Sequence, residues 1–522
     1  MHMESLAITP EKVGAALQEI YQFPPRKAMA LARAGPESIR SPWSVPGMGE
    51  LVARLVEAVQ RKEPVLVFGD FDTDGVTGTA ILFHTLARHG AQVRRYNPYY
   101  HEDYGLHVEQ VERFARAGVR LIVTVDTGIS SLEAISWARR IGIEVLVTDH
   151  HLPLTSPGPP DTLWVDPPDH LLSGAQIAYL VARAVGERLG EPSTHDPWGL
   201  SLAAVGAQMD WVPVDEPETR AWVAWAHRIL NSRECPRGLQ VARELLGERY
   251  TPSEMLLLGG ILNLAKRSHR VNPNEIVEAL LPETPDGRRR EVFRFLLEER
   301  ARAQRVSGAV TARAIEQLRG EVGRPGLLVY EVEVPDESLS EIEGPLTSRL
   351  AEVTGRPTLV LRPAGERINF SGRARGDFSF ESFLNDPQIR ALTLGIGGHR
   401  QAIGGSIRAV DRTAFLEAVR RWESHLPPWQ PTPEEEPIRL ERLDPEVAYL
   451  YGRAIGPFGH RLRPPRFRAL LEVKGGWAFS GETLVELDRP LSEGEWEVLF
   501  RFSEAGCDGR NTVLHVEEVR RP

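Results

Sequence analysis

Cysteine is almost absent: Cys235 and Cys507 are the only two among 522 residues, too few for a disulfide framework or a thiolate metal cluster. A reducing cytoplasm is therefore the expected compartment. Lysine is nearly as scarce, confined to Lys12, Lys27, Lys62, Lys266 and Lys474, so arginine carries the basic charge. Genome composition and a hot habitat both produce such a bias. No apolar run is long enough to span a bilayer, and the stretch from Met1 to Pro10 lacks a basic segment followed by an apolar one, so neither a membrane partner nor export is expected. Net positive charge is missing too. The formal balance of −10 argues against non-specific coating of long nucleic acid, but leaves room for a local basic groove.

What is present is an ordinary globular composition, 42% hydrophobic and 26% charged, in a chain long enough for roughly two to four domains. The most informative stretch runs from Val65 to Gly78. Val65 to Phe68 is apolar without alternation, the pattern of a strand buried on both faces. Val76, Thr79, Ala80, Phe83, Leu86 and Ala87 follow at helical spacing. Asp70, Asp72 and Asp74 thus fall in a strand-to-helix turn, where close carboxylates repel one another and stay ionised most cheaply by binding a cation. An EF-hand loop begins with the same Asp-x-Asp-x-Asp-Gly, but its twelfth position would be Ile81 instead of a bidentate glutamate, and a helix rather than a strand would precede it.

The first 60 residues read as helices. From 65 to about 165, strands at 92–96, 119–125, 143–148 and 163–165 alternate with helices at 108–117 and 132–141, which predicts a mostly parallel sheet covered on both faces. Ligands gather outside the carboxyl ends of such strands. Asp126 follows Leu121 to Val125 at once, and Asp149-His150-His151 follows Val145 to Thr148 at once, so three acidic or histidine motifs share one sheet edge. Residues 174–283 read as helices, one of them ending at Asp210-Trp211-Val212-Pro213. Arg288 to Glu321 reads as a long Arg-rich connector. A second α/β pattern starts at Leu327, and its Gly397-Gly398-His399-Arg400-Gln401-Ala402-Ile403-Gly404-Gly405 segment is expected to approach a ligand closely and offer N–H groups as an anion nest. Pro427 to Pro437 is a linker by composition. Alternating strands after 439 make a small β module.

A mixed carboxylate and imidazole set drawn from Asp72, Asp74, Asp126, His150 and Asp210, with Asp70, Asp149 and His151 near, suits Mn²⁺, or Mg²⁺ with more water, better than structural zinc. A carboxylate shared by two ions would give a two-metal site suited to in-line displacement at phosphorus, so phosphoester hydrolysis is the natural reaction.

Asp70-Phe71-Asp72-Thr73-Asp74-Gly75, Val125-Asp126-Thr127-Gly128-Ile129, Thr148-Asp149-His150-His151 and Gly397-Gly398-His399-Arg400-Gln401-Ala402-Ile403-Gly404, in that order, resemble the DHH phosphoesterases, and among them the RecJ-like single-strand exonucleases. The resemblance runs from about Pro46 to Phe467. It implies an α/β architecture: a helical segment at 1–60, a mostly parallel-sheet DHH catalytic domain at 61–285, a connector helix at 286–323, a smaller α/β DHHA1-like substrate-binding domain at 324–426, a linker at 427–438 and an OB-like β module at 439–522. It implies metal ligation by Asp72, Asp74, Asp126, His150 and Asp210, with Asp126 bridging two Mn²⁺ or Mg²⁺ ions. His151 is implied to orient phosphate or nucleophile, and Asp70 and Asp149 to hold the ligands. His399 with Gly397 and Gly398 is implied to grip a substrate phosphate, and Arg373, Asn263 and Arg267 to contact substrate. For Arg373 a surface ion pair is the alternative. The implied activity is 5′→3′ degradation of single-stranded DNA or short oligonucleotides.

The departures from that pattern concern substrate grip. Asn97-Pro98-Tyr99-Tyr100 lacks the arginine expected before Tyr104-Gly105-Leu106. Gly260 to Arg267 keeps Asn263 and Arg267 but loses an earlier arginine, and Ser338-Leu339 replaces an expected Trp-His. Missing arginines and acidic charge together favour short substrates, since affinity for long strands scales with the phosphates neutralised. In the β module, Trp477, Phe479 and Arg501 are candidates for stacking bases. Two rivals stand beside this reading: a small-molecule DHH enzyme acting on pyrophosphate, a cyclic dinucleotide or an adenosine bisphosphate, and a non-enzymatic scaffold, whose signature would be lost ligands. The long connector and the β module favour a polymer substrate. Oligomeric state is not legible.

Overall fold

The unalternated run at Val65 to Phe68 forms the centre of β1 (Pro64–Gly69), which lies between two parallel neighbours. This computed structural model describes residues 8–102, 104–151, 159, 162–165, 171–192, 195–246, 252–322, 324–336, 338–426, 437–441, 443–458, 461–503 and 512–522. Most of the expected linker, Cys507 and Gly459 lie outside them. β2 (Gln92–Tyr96), β3 (Leu121–Val125), β4 (Glu144–Thr148) and β5 (Leu163–Trp164) complete a parallel sheet in the order β2-β1-β3-β4-β5.

Continuous apolar strands are explained by cover on both sides. Leu66, Phe68, Ile122, Val145 and Val147 pack in one cluster with Phe114, Ile135 and Ala138 from the helices Val108–Arg116 and Leu132–Arg140. On the other face the helix Thr73–Arg88 comes so near that a Cβ on Gly78 would stand 2.6 Å from Val125 Cγ1 and 3.1 Å from Ala175 Cα. The chain leaves β1 to one side for β2 and reaches β3 on the other, so the switch point of the sheet lies between β1 and β3. Their carboxyl ends, at Asp70 and Asp126, flank that crevice, where open α/β sheets bind ligands.

The chain divides into two compact units. The first comprises Met1–Asn263, Asn272–Phe295 and Glu436–Pro522, and the second Leu264–Val271 and Leu296–Glu435. The first therefore includes the N-terminal helices Pro10–Tyr21 and Pro25–Ala32, whose Leu17, Ala28 and Leu31 share a core with Val214, Val223, Ile455, Phe458 and Leu462. The expected connector is one continuous helix, Asp286–Gln317, about 48 Å long at 1.5 Å per residue.

In the second unit β6 (Leu328–Glu331), β7 (Thr358–Ala364), β8 (Arg367–Arg373), β9 (Thr393–His399) and β10 (Ala402–Arg408) form a mixed sheet in the order β6-β7-β8-β10-β9. Phe370, Phe380, Phe383, Phe415 and Trp422 fill its core. The glycine-rich segment differs from expectation. Instead of turning successive N–H groups to one side as a nest, it forms an antiparallel hairpin, β9 and β10 joined at Arg400 and Gln401. Two of its glycines sit where neighbours crowd: a Cβ on Gly398 would lie 2.3 Å from Ala402 O, and one on Gly405 2.5 Å from Gly395 O and 2.6 Å from Phe370 Cζ. β10 is paired on both sides, whereas β9 is the edge strand and one side of its backbone, Gly397 and Gly398 included, faces away from the sheet.

The tail closes into a barrel. β11 (Ile438–Arg439) flanks β12 (Phe467–Lys474), which pairs with both β13 (Trp477–Ser480) and β15 (Gly494–Phe502), while β14 (Thr483–Leu487) and β15 both pair with β16 (Val513–Arg520). Alternation is clean along β12, with Phe467, Ala469, Leu471 and Val473 buried. Trp477 is exposed, but the Arg501 guanidinium is engaged by Glu517 at 2.9 Å, which occupies one of the expected base-stacking groups.

Candidate metal centre

The carboxylates of the first turn owe their positions to backbone rules. Asp72 is the N-cap of the helix Thr73–Arg88, its Oδ1 accepting from Asp74 N at 3.0 Å and Gly75 N at 3.2 Å. Asp74 is buried in the first turn, where the Asn263 and Gly259 segment closes over it: Asn263 Oδ1 accepts from Thr73 N at 3.2 Å, and Thr73 Oγ1 donates to Gly259 O at 2.8 Å. A second helix, Gly174–Arg188, aims its N-terminus at the same side chain. Gly174 N donates to Asp74 Oδ2 at 2.6 Å and Ala175 N to Oδ1 at 3.1 Å, and the dipole of that helix favours negative charge there.

Asp126 follows β3 with φ of 59°, a left-handed conformation that aspartate tolerates better than most residues. It is 3% exposed. Gly174 makes this burial feasible, because a Cβ there would stand 2.4 Å from Asp126 Cβ. From β4, His150 Nε2 lies 3.2 Å from Asp126 Oδ1 and 3.5 Å from Asp210 Oδ2. Asp210 caps the end of the helix Pro197–Met209, which presses against Asp74 through a glycine: a Cβ on Gly206 would be 2.5 Å from Asp74 Oδ1. Asp70 is buried at the end of β1, and its carbonyl accepts from Asn97 Nδ2 at 2.5 Å.

Asp149 has a different surrounding. Its Oδ1 accepts from His150 N at 2.8 Å, His151 N at 3.2 Å and His151 Nδ1 at 2.7 Å, and its Oδ2 from Ile129 N at 3.0 Å. Burial alone would raise its pKa, yet the bond and charge of His151 with the Ile129 N–H hold it below the usual carboxylate range. Burial would lower His151, but Asp149 outweighs it and carries the imidazole up to about 9. Tyr104 joins this edge: its hydroxyl lies 3.1 Å from His151 Nδ1 and 3.3 Å from the Asp126 carbonyl oxygen.

Among the described residues, ligand-capable atoms converge in three overlapping groups: Asp126, His150 and His151; Asp74, His150 and Asp210; Asp70, Asp72 and Asp126. Within each group they lie within 4.8 Å of one another. The residues fit a divalent cation. Among the described residues, Asp126 Oδ1 is buried with no hydrogen-bond partner, despite the nearby imidazole. Burial, then the charges of Asp74, Asp72, Asp70 and Asp210, push the Asp126 pKa well upward, and burial with Asp72 raises Asp74 to about 6. Like charges crowded into a low-dielectric site must either take up protons or share a cation. An oxygen-rich set with imidazole and no thiolate suits Mn²⁺ or Mg²⁺.

The remaining expected residues lie apart in the chain. Gly397, Gly398 and His399 end β9, and the side chain of His399 is outside the described set. Strand register sets Arg373, Ala402 and His399 in one cross-strand row. Arg373 Nη1 donates to Ser371 Oγ at 3.1 Å and Gly372 O at 2.8 Å, no carboxylate engages it among the described residues, and burial lowers its pKa. Arg267 ends the short helix Leu264–Arg267, with its carbonyl accepting from Ser340 N at 2.9 Å. Sequence reasoning did not single out Tyr104, Gly174 or Gly206. One signal was available: Ser173 and Gln176 form a capping box that opens an apolar run.

Residues 64–206 match the family described as DHH family, N-terminal domain. The chain is 28% identical over 387 residues to the single-stranded-DNA-specific exonuclease RecJ of Bacillus subtilis, an alignment covering 71% of this chain and 47% of the relative, so it spans about half the length of that protein. Among solved structures, RecJ of Thermus thermophilus in complex with Mn²⁺ superposes with a TM-score of 0.73 at 25% identity, covering 99% of this chain and 78% of that one. A second, exonuclease RecJ bound to manganese, gives 0.60 at 28% identity over 73% of this chain and 96% of that one.

Two outcomes are expected. Gly174→Ala should weaken Mn²⁺ binding about tenfold or more by forcing Asp126 and Asp74 apart, measured by calorimetric titration. Gly260→Ala, where a Cβ meets nothing within 4 Å, should leave binding unchanged. Metal-free protein should also lose stability as pH rises from 5 to 8. Asp74 and Asp126 bind protons more tightly folded than unfolded, as does His151, so their contribution is complete below the unfolded pKa values and disappears through about 6 for Asp74 and about 9 for His151. Thermal melts should show that fall, and saturating Mn²⁺ should flatten it.

Proposed function

We propose, from the premise that the chain belongs to the DHH family and to its RecJ-like branch, that it is a metal-dependent phosphodiesterase removing nucleotides 5′→3′ from single-stranded DNA or short oligonucleotides. The observation that carries this reading is the convergence of carboxylate and imidazole atoms around Asp126, whose Oδ1 is buried with no hydrogen-bond partner among the described residues, at the switch point between β1 and β3. Its donor set fits the ion named with the related solved structures.

Asp72, Asp74, Asp126, His150 and Asp210 are assigned as the residues that hold the metal, with Asp126 shared between two ions. Bound there, Mn²⁺ or Mg²⁺ supplies a water of lowered pKa and neutralises charge that builds on phosphate oxygens. The chain's own groups do the rest. Asp149 fixes the His151 ring through Nδ1 and keeps it charged, so His151 is assigned to orient a phosphate oxygen or the nucleophile. The two N–H groups of the Gly174–Arg188 helix hold Asp74 in one orientation, and Asn263 secures the turn that carries Asp72. Asp70 is assigned a supporting place beside them. Arg373 has no competing carboxylate among the described residues. With His399 and the backbone of Gly397 and Gly398 it is assigned to substrate phosphates, and Arg267 is kept as a further contact.

Asp126→Ala should abolish hydrolysis of end-labelled oligonucleotides while far-ultraviolet circular dichroism stays native; activity within about tenfold of wild type would refute the bridging assignment. His399→Ala should lower turnover and raise KM without releasing metal, read by parallel kinetics and metal analysis. Substrates in that assay should include graded DNA and RNA oligomers and pyrophosphate, and hydrolysis confined to pyrophosphate would replace the exonuclease reading with a small-molecule one.

A further inference from the structure

The first unit contains a cavity of about 370 Å³ that shares none of the residues assigned above. One wall is a face of the helix Pro217–Leu230, where Arg220, Val223, Ala224, His227 and Arg228 recur at helical spacing. The other walls come from the end of the helix Pro25–Ala32 and from Tyr449 to Pro457, ahead of the barrel. The lining includes three arginines, Arg220, Arg228 and Arg453, and no aspartate or glutamate. In a chain with a net charge of −10, such a grouping is not the average surface.

Arg220 is the informative member. It is 4% exposed, and its Nε and Nη2 each donate to a backbone carbonyl, Leu31 O and Ile455 O, both at 2.9 Å. Its Nη1 is buried with no hydrogen-bond partner among the described residues. Burial pulls this guanidinium down to about 10, still charged at neutral pH, and no carboxylate counters that effect. Buried charges are normally paired. Here neutral carbonyls orient the fork, and no carboxylate pairs with it among the described residues. Arg228 and Arg453 are exposed and add two further forks. Guanidinium groups match phosphate oxygens in geometry as well as charge. The Tyr449 ring and the apolar Leu31, Val223, Ala224 and Pro457 offer a surface for a less polar body, and the volume lies within the range of small-ligand sites.

We propose that this cavity is an anion site, separate from the metal centre, that takes a phosphate monoester of nucleotide size. A nucleoside monophosphate and free phosphate share the recognised chemistry. The site does not depend on the exonuclease reading, and its test avoids catalysis. Protein stripped of metal and dialysed free of chelator is titrated calorimetrically with thymidine 5′-monophosphate and, separately, with inorganic phosphate. Wild type should bind the nucleotide. The double variant Arg228→Ala/Arg453→Ala, which leaves the buried Arg220 anchors intact, should bind it about tenfold or more weakly with an unchanged melting temperature. Arg220→Met, if folded by circular dichroism, should lose binding. Tighter binding of the nucleotide than of phosphate assigns the apolar walls to the nucleoside, and equal binding assigns the site to phosphate alone; both support an anion site. Absence of binding by either probe at millimolar concentration, or equal binding by the double variant, would overturn it.

Discussion

The structure depends on keeping like charges close together and out of water. Asp74 and Asp126 are almost wholly buried, and Asp70 lies beside them. Such crowding is normally excluded by desolvation and repulsion. It is achieved here by geometry: two strand ends adjacent in a parallel sheet, one helix opening at Asp72, and a second helix directing two N–H groups at Asp74. Close approach is provided by Gly174 and Gly206, where a side chain would collide with the very carboxylates the helices enclose.

The same pressure sorts the acids into two kinds. Asp149 has donors on both oxygens and a charged imidazole beside it, so burial leaves it comfortably ionised. Asp126 has an oxygen without a donor and a pKa driven upward. A satisfied carboxylate fixes neighbours, whereas an unsatisfied one at a ligand-binding crevice demands a cation. This difference in hydrogen bonding supports the separate roles proposed for the two residues.

Much of this was legible in the sequence, for specific reasons. Val65 to Phe68 and Val145 to Thr148 are buried on both faces, so their apolar runs revealed parallel strands, and motifs following such strands at once had to share an edge. A small β module showed in the alternating strands after 439, while its closure into a barrel was implied only by the resemblance. What stayed hidden depends on contacts distant in sequence. Gly174 and Gly206 look like ordinary helix glycines until the helices are packed on Asp126 and Asp74. Tyr104 reaches His151 across 47 positions. Gly397 to Gly405 suggested an anion nest because glycine lets a backbone approach a ligand closely, whereas Phe370 and the facing backbone leave room for little else at Gly405.

Arginine placement links the two charge problems of the chain. An arginine-rich connector suggests a track for polymer phosphates, but several of its guanidinium groups are already committed: Arg288 to Glu275 and Glu278, Arg290 to Glu244, and Arg302 to Glu299 and Asp336. Those pairs stiffen a helix and its surroundings, and each would have to open before binding a phosphate. Arg373 in the mixed sheet and Arg220, held on the Leu31 and Ile455 carbonyls, pair with no carboxylate among the described residues. Binding strength that comes from a few fixed forks is less sensitive to strand length and salt than binding along a basic track. Net acidic charge and connector arginines already held in ion pairs are the physical basis for favouring short substrates in the proposed reaction.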